Sequence, residues 1–183
     1  RYPAFRLHAL SPPEVVHLSR LSRLPVPQVV ERLVSAGLDS IPGGGAEILV
    51  DRVRRLLHCY DKATSDQWLD VMRTAHRLGI PSNATMLYGH VESGVGRVDH
   101  LLRLRDLQDE TGGFRAFISW TFQRDGNRLD AQVRDEDMPT SFDYLLTQAV
   151  SRIYLDNVPH IQSSWVTQGL KIGQVALAFG AED

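Results

Sequence analysis

The stretch Ser82-Asn83-Ala84-Thr85-Met86-Leu87-Tyr88-Gly89-His90-Val91-Glu92 decides the fold class of this 183-residue chain. A short apolar run ends in a glycine and polar side chains, and a helical pattern follows over residues 95–109. This order is typical of a buried parallel strand that leads into a crossover helix. The same succession recurs along the chain, and it predicts strands near residues 4–10, 38–42, 82–88, 114–121, 159–164 and 177–181.

Helical patterns separate these strands, and three of them have a recognisable start. Ser11, Thr64 and Thr140 each stand three residues before Glu, Gln or Asp, which is the spacing of a capping box. The helix predicted from residue 141 has an apolar face, expected to pack on a sheet, that consists of Phe142, Leu145, Leu146, Ala149, Val150 and Ile153. The predicted helices lie near residues 12–23, 26–36, 46–59, 65–78, 95–109, 141–155 and 167–176.

Six strands with crossover helices fit either an open doubly wound sheet or most of a (β/α)₈ barrel. No Gly-x-Gly-x-x-Gly motif follows a strand, which weakens the dinucleotide-binding sheet. Polar and glycine-rich residues follow most of the strands, and sites at the carboxyl ends of successive strands are characteristic of the barrel. We therefore predict an α/β fold, an incomplete (β/α)₈ TIM-type barrel, with residues 1–183 as a single partial barrel domain.

Composition excludes several classes of function. The chain is 43% hydrophobic and 23% charged with a net charge of −2, so neither nucleic acid nor a membrane surface is an expected partner. The cluster of Arg52, Arg54 and Arg55 is interpreted as a solvated helix face. No apolar run reaches the length of a membrane span, and the single cysteine, Cys59, fits a reducing compartment; a cytoplasmic protein is predicted. Cys59 itself is interpreted as a small buried apolar residue.

The stretch Ser40-Ile41-Pro42-Gly43-Gly44-Gly45-Ala46-Glu47 joins a predicted strand to a predicted helix. Consecutive glycines allow a ligand to approach the backbone, and N–H groups at a helix start favour an anion. Glu47, expected in the first helical turn, offers a carboxylate to a ligand hydroxyl or amine. The alternative is an ordinary mobile turn with Glu47 as a surface residue.

A second candidate is the end of the 82–88 strand, where His90 and Glu92 are two residues apart. Side chains at that spacing can converge on one ligand. A zinc hydrolase is a weak alternative, because a full ligand set is missing. A polar pair that only shapes the turn is an equally good interpretation without further information. We interpret His58, His76 and His100, which lie within helical patterns, as surface or packing residues.

Aromatic and amide side chains stand together at two later strand ends, Trp120–Gln123 and Ser163–Gly169. Apolar faces beside hydrogen-bonding groups suit a ligand that carries both a ring and a sugar. Core packing of Trp120 and Trp165 is the alternative.

Three motifs together resemble a branch of the radical S-adenosylmethionine (SAM) enzymes. They are Gly43 to Leu49, Ala84 to Glu92 and Leu107 to Phe114. That branch includes the futalosine-pathway enzymes of menaquinone biosynthesis and the synthase of the deazaflavin precursor. Within it, Phe117 to Gln123 and Ile161 to Gly169 are most similar to cyclic dehypoxanthinyl futalosine synthase. The resemblance covers almost the whole chain.

This resemblance implies a radical SAM barrel that lacks its first strands here, with SAM and a 4Fe–4S cluster as cofactors. The three cluster cysteines are expected upstream of Arg1, so no metal ligand is predicted in this chain and the fragment alone is expected to be inactive. The implied reaction is radical cyclisation of dehypoxanthine futalosine, with a 5′-deoxyadenosyl radical removing a ribose hydrogen. Flavodoxin or ferredoxin is the implied kind of electron donor. Thr85 takes the place of the first glycine in the superfamily's G-x-I-x-G-x-x-E element.

The resemblance also carries site residues over by position. SAM is expected at Gly43, Gly44, Gly45, Glu47, Thr85, Gly89, His90 and Glu92. The substrate is expected at Trp120, Gln123, Gln162, Trp165 and Gln168. Two alternatives stay open: aminofutalosine synthase, a sister enzyme of the same pathway, and a barrel without a cluster that only binds.

Overall fold

A computed structural model describes residues 4–126, 129 and 133–182 of the chain. Within these residues the strands are β1 (Leu7–His8), β2 (Leu38–Ser40), β3 (Ser82–Tyr88), β4 (Phe114–Thr121) and β5 (His160–Gln162). The helices are α1 (Pro12–Ser22), α2 (Val26–Ser35), α3 (Asp51–Leu56), α4 (Ser65–Arg77), α5 (Gly94–Thr111), α6 (Ser141–Tyr154), α7 (Trp165–Gln168) and α8 (Leu170–Ala176). Short 3₁₀ turns lie at Asp135–Asp137 and Leu177–Phe179.

All of the strand pairs are parallel. β1 pairs with β2, and β3, β4 and β5 form a three-stranded sheet in that order. A parallel bridge between Ile41 and Ser82 continues β2 alongside β3, so the strands follow one another in sequence order. Across the residues that the structure describes, the strands form an open arc and do not close into a barrel. The α/β class and the parallel strands agree with the sequence prediction.

The strands β3 and β4 have the bounds expected from the sequence, and their register sorts the side chains onto two faces. One face is covered by helices: Ser119 donates to Gln148 of α6, and the Tyr88 ring lies under Arg97 of α5. Leu87 pairs with Trp120, and Ile118 pairs with both Thr85 and Gln162. Paired residues point to the same side of a sheet. The opposite side, called the inner face, therefore carries Asn83, Thr85, Leu87, Ile118, Trp120 and Gln162.

Capping boxes begin three of the helices, as the sequence predicts. Oγ1 of Thr64 accepts the N–H of Gln67, and Oγ1 of Thr140 accepts the N–H of Asp143. A capping box also starts α1 at Ser11. No helix in the described parts of the chain is both long enough and apolar enough to cross a membrane.

The helix predicted over residues 46–59 is wrong in its first half, because α3 extends only from Asp51 to Leu56. The backbone before it is bound by tertiary partners instead of by helical hydrogen bonds. The amide of Leu49 donates to Nδ1 of His100, and the carbonyl of Glu47 accepts the N–H of Leu87. Ala46, Leu49 and their apolar neighbour Ile48 are fully buried. Burial and these contacts outweigh the helical pattern of the sequence.

Two predictions near the end of the chain are also wrong. The strand expected at 177–181 is a 3₁₀ turn at Leu177–Phe179, which continues α8 and ends at Gly180 with a positive φ of 95°. The helix expected at 167–176 is divided into α7 and α8 at Gly169, whose φ of 82° and ψ of 156° do not fit a helix. The short apolar run in this region is therefore helical, which periodicity alone cannot distinguish from a strand.

Most of the apolar face predicted for α6 is exposed, although Leu145 packs against the core. Phe142 and Ile153 are 71% and 79% exposed, and Leu146 and Val150 also face solvent. The sheet contacts are made by the opposite side of the helix, where the buried residues are Tyr144, Gln148 and Ser151. Gln148 is suited to this position because the sheet offers it partners: it bonds to Ser119 and to the carbonyl of Gln162. Hydrogen bonds of Gln148 thus replace part of the expected apolar contact.

Candidate functional site

A cavity of about 670 Å³ lies at the carboxyl ends of β3 and β4. Leu87 and His90 from the end of β3 and Phe122 from the end of β4 form one wall. The opposite wall is formed by Glu47 and by the segment between α3 and α4. This volume is typical of a pocket for a small molecule. The remaining lining residues are Leu57, His58, Cys59, Lys62, Asp125, Gly126 and Leu129.

A second cavity of about 320 Å³ adjoins the first. Glu47, Cys59 and Lys62 line both cavities, so these three side chains form a shared wall. The second cavity is closed on its other side by the start of α1, including Ser11 and Glu14. The shared wall carries a carboxylate, a thiol and an ammonium group.

Glu47 is the most unusual residue of this wall. Its φ of 46° is left-handed, a conformation that costs a non-glycine residue about 1 kcal/mol or more. Burial raises the pKa of its carboxyl, and the positive charges of Arg54, His90 and Lys62 oppose that rise. The carboxylate therefore has reduced access to water, and a ligand hydroxyl or ammonium group can replace water beside it. Glu47 was expected in the first turn of a helix, and this prediction is wrong because α3 begins only at Asp51.

The three glycines before Glu47 serve different purposes. A Cβ on Gly43 would lie 2.6 Å from the carbonyl oxygen of Asn83, and one on Gly45 would lie 2.4 Å from Pro13. These two glycines are thus required by close packing of the loop on β3 and on α1. A Cβ on Gly44 would make only an ordinary contact, with Cβ of Ser11 at 3.7 Å. A side chain therefore fits at Gly44 but not at Gly43 or Gly45, and of the three glycines only Gly45 lines one of the two cavities.

Thr85 and the loop before Glu47 are directly linked. Oγ1 of Thr85 donates to the carbonyl of Gly43 at 2.6 Å. Because Thr85 lies on the inner face of β3, its hydroxyl fixes the glycine loop at the edge of the sheet. Two stretches that the sequence analysis singled out separately are in this way one structural unit.

Glu92 shapes the turn after β3. Its carboxylate accepts the N–H groups of Gly89 and His90 at 2.7 and 3.0 Å and is fully buried. Nε of Arg97 binds it at 2.7 Å. Glu92 is therefore saturated by the protein, in agreement with the turn-shaping interpretation. Gly89 is required at the turn by its positive φ of 86° and by its contact with Pro139.

His90 is the residue of this turn that reaches the cavity. Nε2 of its ring lies 2.9 Å from the carbonyl oxygen of Leu87, and Nδ1 lies 2.7 Å from the amide nitrogen of Val91 and 2.8 Å from a carboxylate oxygen of Glu92. The ring also meets Phe122 edge to face, with 6.1 Å between centroids. His90 and Phe122 form a rigid surface beside Glu47, with both of the His90 ring nitrogens already engaged.

Four of the five residues predicted to bind substrate form two pairs. Trp120 and Gln162 lie on the inner face, where Trp120 pairs with Leu87, a residue that lines the main cavity. Gln123 and Gln168 instead meet at Thr121, whose Oγ1 lies 3.1 and 2.7 Å from their side-chain nitrogens. By the alternation of the strand, Thr121 belongs to the helix-covered side.

Trp165, the fifth of these residues, is exposed on α7, and its Cβ lies against Gly173. Over the described residues, neither Trp165 nor any of the other four lines either of the two cavities.

Sequence reasoning missed the segment that follows α3. Leu57, His58, Cys59 and Lys62 all line the main cavity, although none of them follows a strand. A search confined to strand ends could not find them. Cys59 is buried, as predicted, and burial raises the pKa of its thiol, which keeps it protonated. His58 is exposed with a positive φ of 53°.

The histidines at positions 76 and 100 are packing residues, as one of the two interpretations held. His76 is hydrogen-bonded to Thr111 and Ser82, each at 2.7 Å, and lies edge to face against Phe114. His100 is completely buried and holds the amide of Leu49. Over the described residues, no group of three His, Cys, Asp or Glu side chains is placed to hold a metal ion.

Comparison with known proteins adds the family context. Residues 111–183 match the family described as the CofH/MqnC C-terminal region. The whole chain is 48% identical over 182 residues to aminodeoxyfutalosine synthase of Thermus thermophilus, covering 49% of that protein. It is 43% identical over 182 residues to cyclic dehypoxanthine futalosine synthase of Streptomyces coelicolor, covering 44% of it.

A relative with a different activity is nearly as similar. The chain is 43% identical over 185 residues to 5-amino-6-(D-ribitylamino)uracil--L-tyrosine 4-hydroxyphenyl transferase 1 of Methanosarcina acetivorans, covering 49% of that protein. In all three comparisons the whole of this chain is aligned. The chain spans about half the length of the curated relatives it matches.

Proposed function

We propose that the protein containing this chain is a radical SAM enzyme of the futalosine pathway that converts dehypoxanthine futalosine to cyclic dehypoxanthine futalosine. The observation that carries the proposal is the position of the main cavity. It lies at the carboxyl ends of parallel strands, between the Glu47 wall and His90, and Leu87, which lines it, pairs with Trp120 on the inner face. Parallel strands that follow in sequence order support a partial barrel, in which such edges carry the active site.

SAM binding is proposed at the Glu47 side of the cavity. The half-buried carboxylate of Glu47 suits a ribose hydroxyl or an ammonium group, and Lys62 on the same wall suits a carboxylate. The proposed residues around this site are the glycine loop, Thr85, His90 and, through the turn that it shapes, Glu92. When bound with its 4Fe–4S cluster, SAM supplies a 5′-deoxyadenosyl radical.

The cluster itself is proposed to be held by cysteines upstream of Arg1, since the described part of the chain offers no such site. Flavodoxin or ferredoxin is the proposed electron donor to the cluster, in the cytoplasm. The inner face would hold the substrate against SAM: the Trp120 ring offers an apolar surface, and Gln162 offers an amide. These two side chains orient the substrate and exclude water from a site where a reactive carbon centre must be protected.

A second candidate, aminodeoxyfutalosine synthase, is favoured by one observation, the 48% identity with the enzyme of Thermus thermophilus. We rank cyclisation first because Trp120–Gln123 and Gln162–Gly169 resemble the cyclising enzyme. The whole chain aligns with members of both groups, so identity alone does not separate them.

The test is an assay of the full-length protein after anaerobic reconstitution with iron and sulfide. Incubation with SAM, a reductant and dehypoxanthine futalosine should give 5′-deoxyadenosine together with the cyclised product, both identified by mass. Formation of aminodeoxyfutalosine from the sister enzyme's substrate would select the second candidate. A protein that forms neither product and does not bind SAM would support the alternative of a non-catalytic binding barrel without a cluster.

A further inference from the structure

Arg54 was expected on a solvated helix face, and the structure places it in the core. Its side chain is completely buried, whereas Arg52 and Arg55 of the same helix are exposed. A buried guanidinium group needs a compensating partner for each of its N–H groups, since desolvation of an unpaired cation is costly. Arg54 therefore has a structural task that its neighbours do not share.

All of the hydrogen bonds of Arg54 go to backbone carbonyls on two separate segments. Nη1 binds the carbonyls of Gly45 and Ala46 at 3.1 and 2.6 Å, and Nη2 binds Gly45 again at 3.2 Å. Nε and Nη2 bind the carbonyl of Ala63 at 2.9 and 2.7 Å. The five bonds match the five N–H groups of a guanidinium, so the fork is saturated.

These two segments are the two sides of the shared wall. Gly45 and Ala46 immediately precede Glu47, and Ala63 immediately follows Lys62. The carbonyls that Arg54 binds thus flank the two charged side chains that line both cavities. A planar fork fixes the directions of both segments at once, which an ammonium group cannot do.

We propose that Arg54 is a positioning residue of the main cavity, a clamp that fixes the Glu47 loop against the segment carrying Cys59 and Lys62. The functional part rests on the proposed function, in which Glu47 and Lys62 contact different groups of SAM. A ligand held at two points binds well only if the spacing of those points is maintained. The clamp itself is a property of this chain and is tested independently of SAM.

The test of the clamp uses the two lysines of these 183 residues, Lys62 and Lys171. The peptide bond between Lys62 and Ala63 adjoins the carbonyl that Arg54 holds. A lysine-specific protease is applied to the full-length protein and to its Arg54→Met and Arg54→Lys variants, and fragments are quantified by mass. Arg52→Met on the same helix is the matched control, and cleavage after Lys171 in α8 is the internal reference.

We expect Arg54→Met to increase cleavage after Lys62 by at least about tenfold relative to Lys171, because the local opening free energy falls. Arg54→Lys should be intermediate, and Arg52→Met should equal the wild type. Unchanged cleavage after Lys62 in a folded Arg54 variant would overturn the proposal. If Arg54→Met does not fold, Arg54→Lys decides by the same criterion.

The positioning role is tested by equilibrium dialysis of SAM against the reconstituted full-length variants over a range of pH. Without the Arg54 charge, burial should raise the pKa of Glu47 further. The pH midpoint of SAM binding should therefore move upward, and SAM affinity at neutral pH should fall about tenfold. Arg54→Lys should restore the midpoint but not the full affinity. The other charged or titratable groups around Glu47 stay constant across the variants; they are His90, Lys62, Cys59, Glu14, His58 and Asp125.

The proteolysis and SAM-binding experiments together distinguish a failure of the clamp proposal from a failure of the proposed function. Increased cleavage after Lys62 with unchanged SAM affinity and pH midpoint would overturn the positioning role, leaving Arg54 as a structural residue only. A wild-type protein that does not bind SAM would contradict the proposed function, while the cleavage arm still decides whether Arg54 clamps the two segments.

Discussion

Nε of Arg97 lies 2.7 Å from Oε1 of Glu92, and the carboxylate it binds has no contact with solvent. The same carboxylate accepts the N–H groups of Gly89 and His90. The guanidinium of Arg97 also lies 4.7 Å above the ring centre of Tyr88. The end of β3 and the start of α5 are thus joined through one buried anion, and the turn depends on its charge.

This charge should make stability depend on pH. Burial alone would raise the pKa of Glu92, but hydrogen bonds from His90 and from the Gly89 and His90 amides outweigh it and hold the pKa well below the usual 4.5. The contribution is complete above about pH 4.5, the unfolded value, and is lost as the pH falls below it. Glu92→Gln should cost roughly 1–3 kcal/mol at pH 7 and flatten the dependence below pH 4.5.

Urea unfolding between pH 7 and pH 3 measures both effects. Glu31→Gln, the same substitution at an exposed position of α2, is the control and should leave the free energy of unfolding within about 0.5 kcal/mol. A flattened pH dependence in the control, or an unaltered one in Glu92→Gln, would contradict this account.

The glycine loop supplies a prediction with an internal control. Gly43→Ala and Gly45→Ala should each destabilise the protein by roughly 1–3 kcal/mol, since the added methyl collides with Asn83 or Pro13 and Gly45 also has a φ of 77°. Gly44→Ala should be nearly neutral because its nearest neighbour is at 3.7 Å. Thermal unfolding of the three variants compares them directly. Equal losses at the three positions would mean that the loop needs flexibility rather than space.

Two buried histidines predict a second acid-sensitive range. Burial lowers the pKa of His76 to about 4 and that of His100 to about 3 from an ordinary 6.5. Both are neutral in the fold at pH 7, and an unfolded chain binds their protons first. Stability should therefore be complete above about pH 6.5 and decline as the pH falls toward 4.

His76→Gln tests this range because it removes the titrating ring between Ser82 and Thr111. The variant should lose roughly 1–3 kcal/mol at pH 7 through its unpaired hydroxyl partners and show a weaker decline between pH 6.5 and 4. His17→Gln on the exposed side of α1 should match the wild type in both respects. An identical decline in His76→Gln would assign the acid sensitivity to other groups.

Substitutions on the two sides of α6 should differ in their effect on the free energy of unfolding. Tyr144 is fully buried and its hydroxyl accepts the amide of Ser164 at 2.8 Å, so Tyr144→Ala should cost roughly 3–5 kcal/mol. Ile153 is 79% exposed, and Ile153→Ser should change stability by less than about 0.5 kcal/mol. Urea unfolding distinguishes this orientation from the one that the sequence predicts, in which the large loss would occur at Ile153.

The sequence predicted elements correctly where local pattern and tertiary packing agree. β3 and β4 are mostly apolar runs, and α4 and α6 begin at capping boxes, so their bounds need no distant partner. It was wrong where distant partners decide the structure. The backbone of residues 46–50 is held by Leu87, His100 and Arg54, and none of these contacts leaves a periodic signal in the segment itself.

The candidate site shows the same division. Glu47 and His90 are recognisable because they follow strands at the edge where sites form. Lys62 and Arg54 follow no strand, and Arg54 looks like a surface residue because its neighbours Arg52 and Arg55 are exposed. Its burial depends on carbonyls of two other segments, which only the folded chain brings together.

The last prediction separates the two proposed halves of the site in the reconstituted full-length protein. Glu47→Gln keeps the size of the side chain but removes the charge from the shared wall, so SAM affinity should fall about tenfold, or about 1.4 kcal/mol. Formation of 5′-deoxyadenosine should fall with it whether or not substrate is present. Trp120→Ala removes an aromatic surface from the inner face, where it pairs with Leu87. It should spare SAM binding and uncoupled 5′-deoxyadenosine formation while lowering the yield of cyclised product. Trp165→Ala is the matched control on exposed α7 and should lower that yield less than Trp120→Ala does. The measurement is the ratio of cyclised product to 5′-deoxyadenosine, with SAM affinity determined separately. A Trp120→Ala variant that loses SAM binding while Glu47→Gln loses only coupling would reverse the assignment of the two walls.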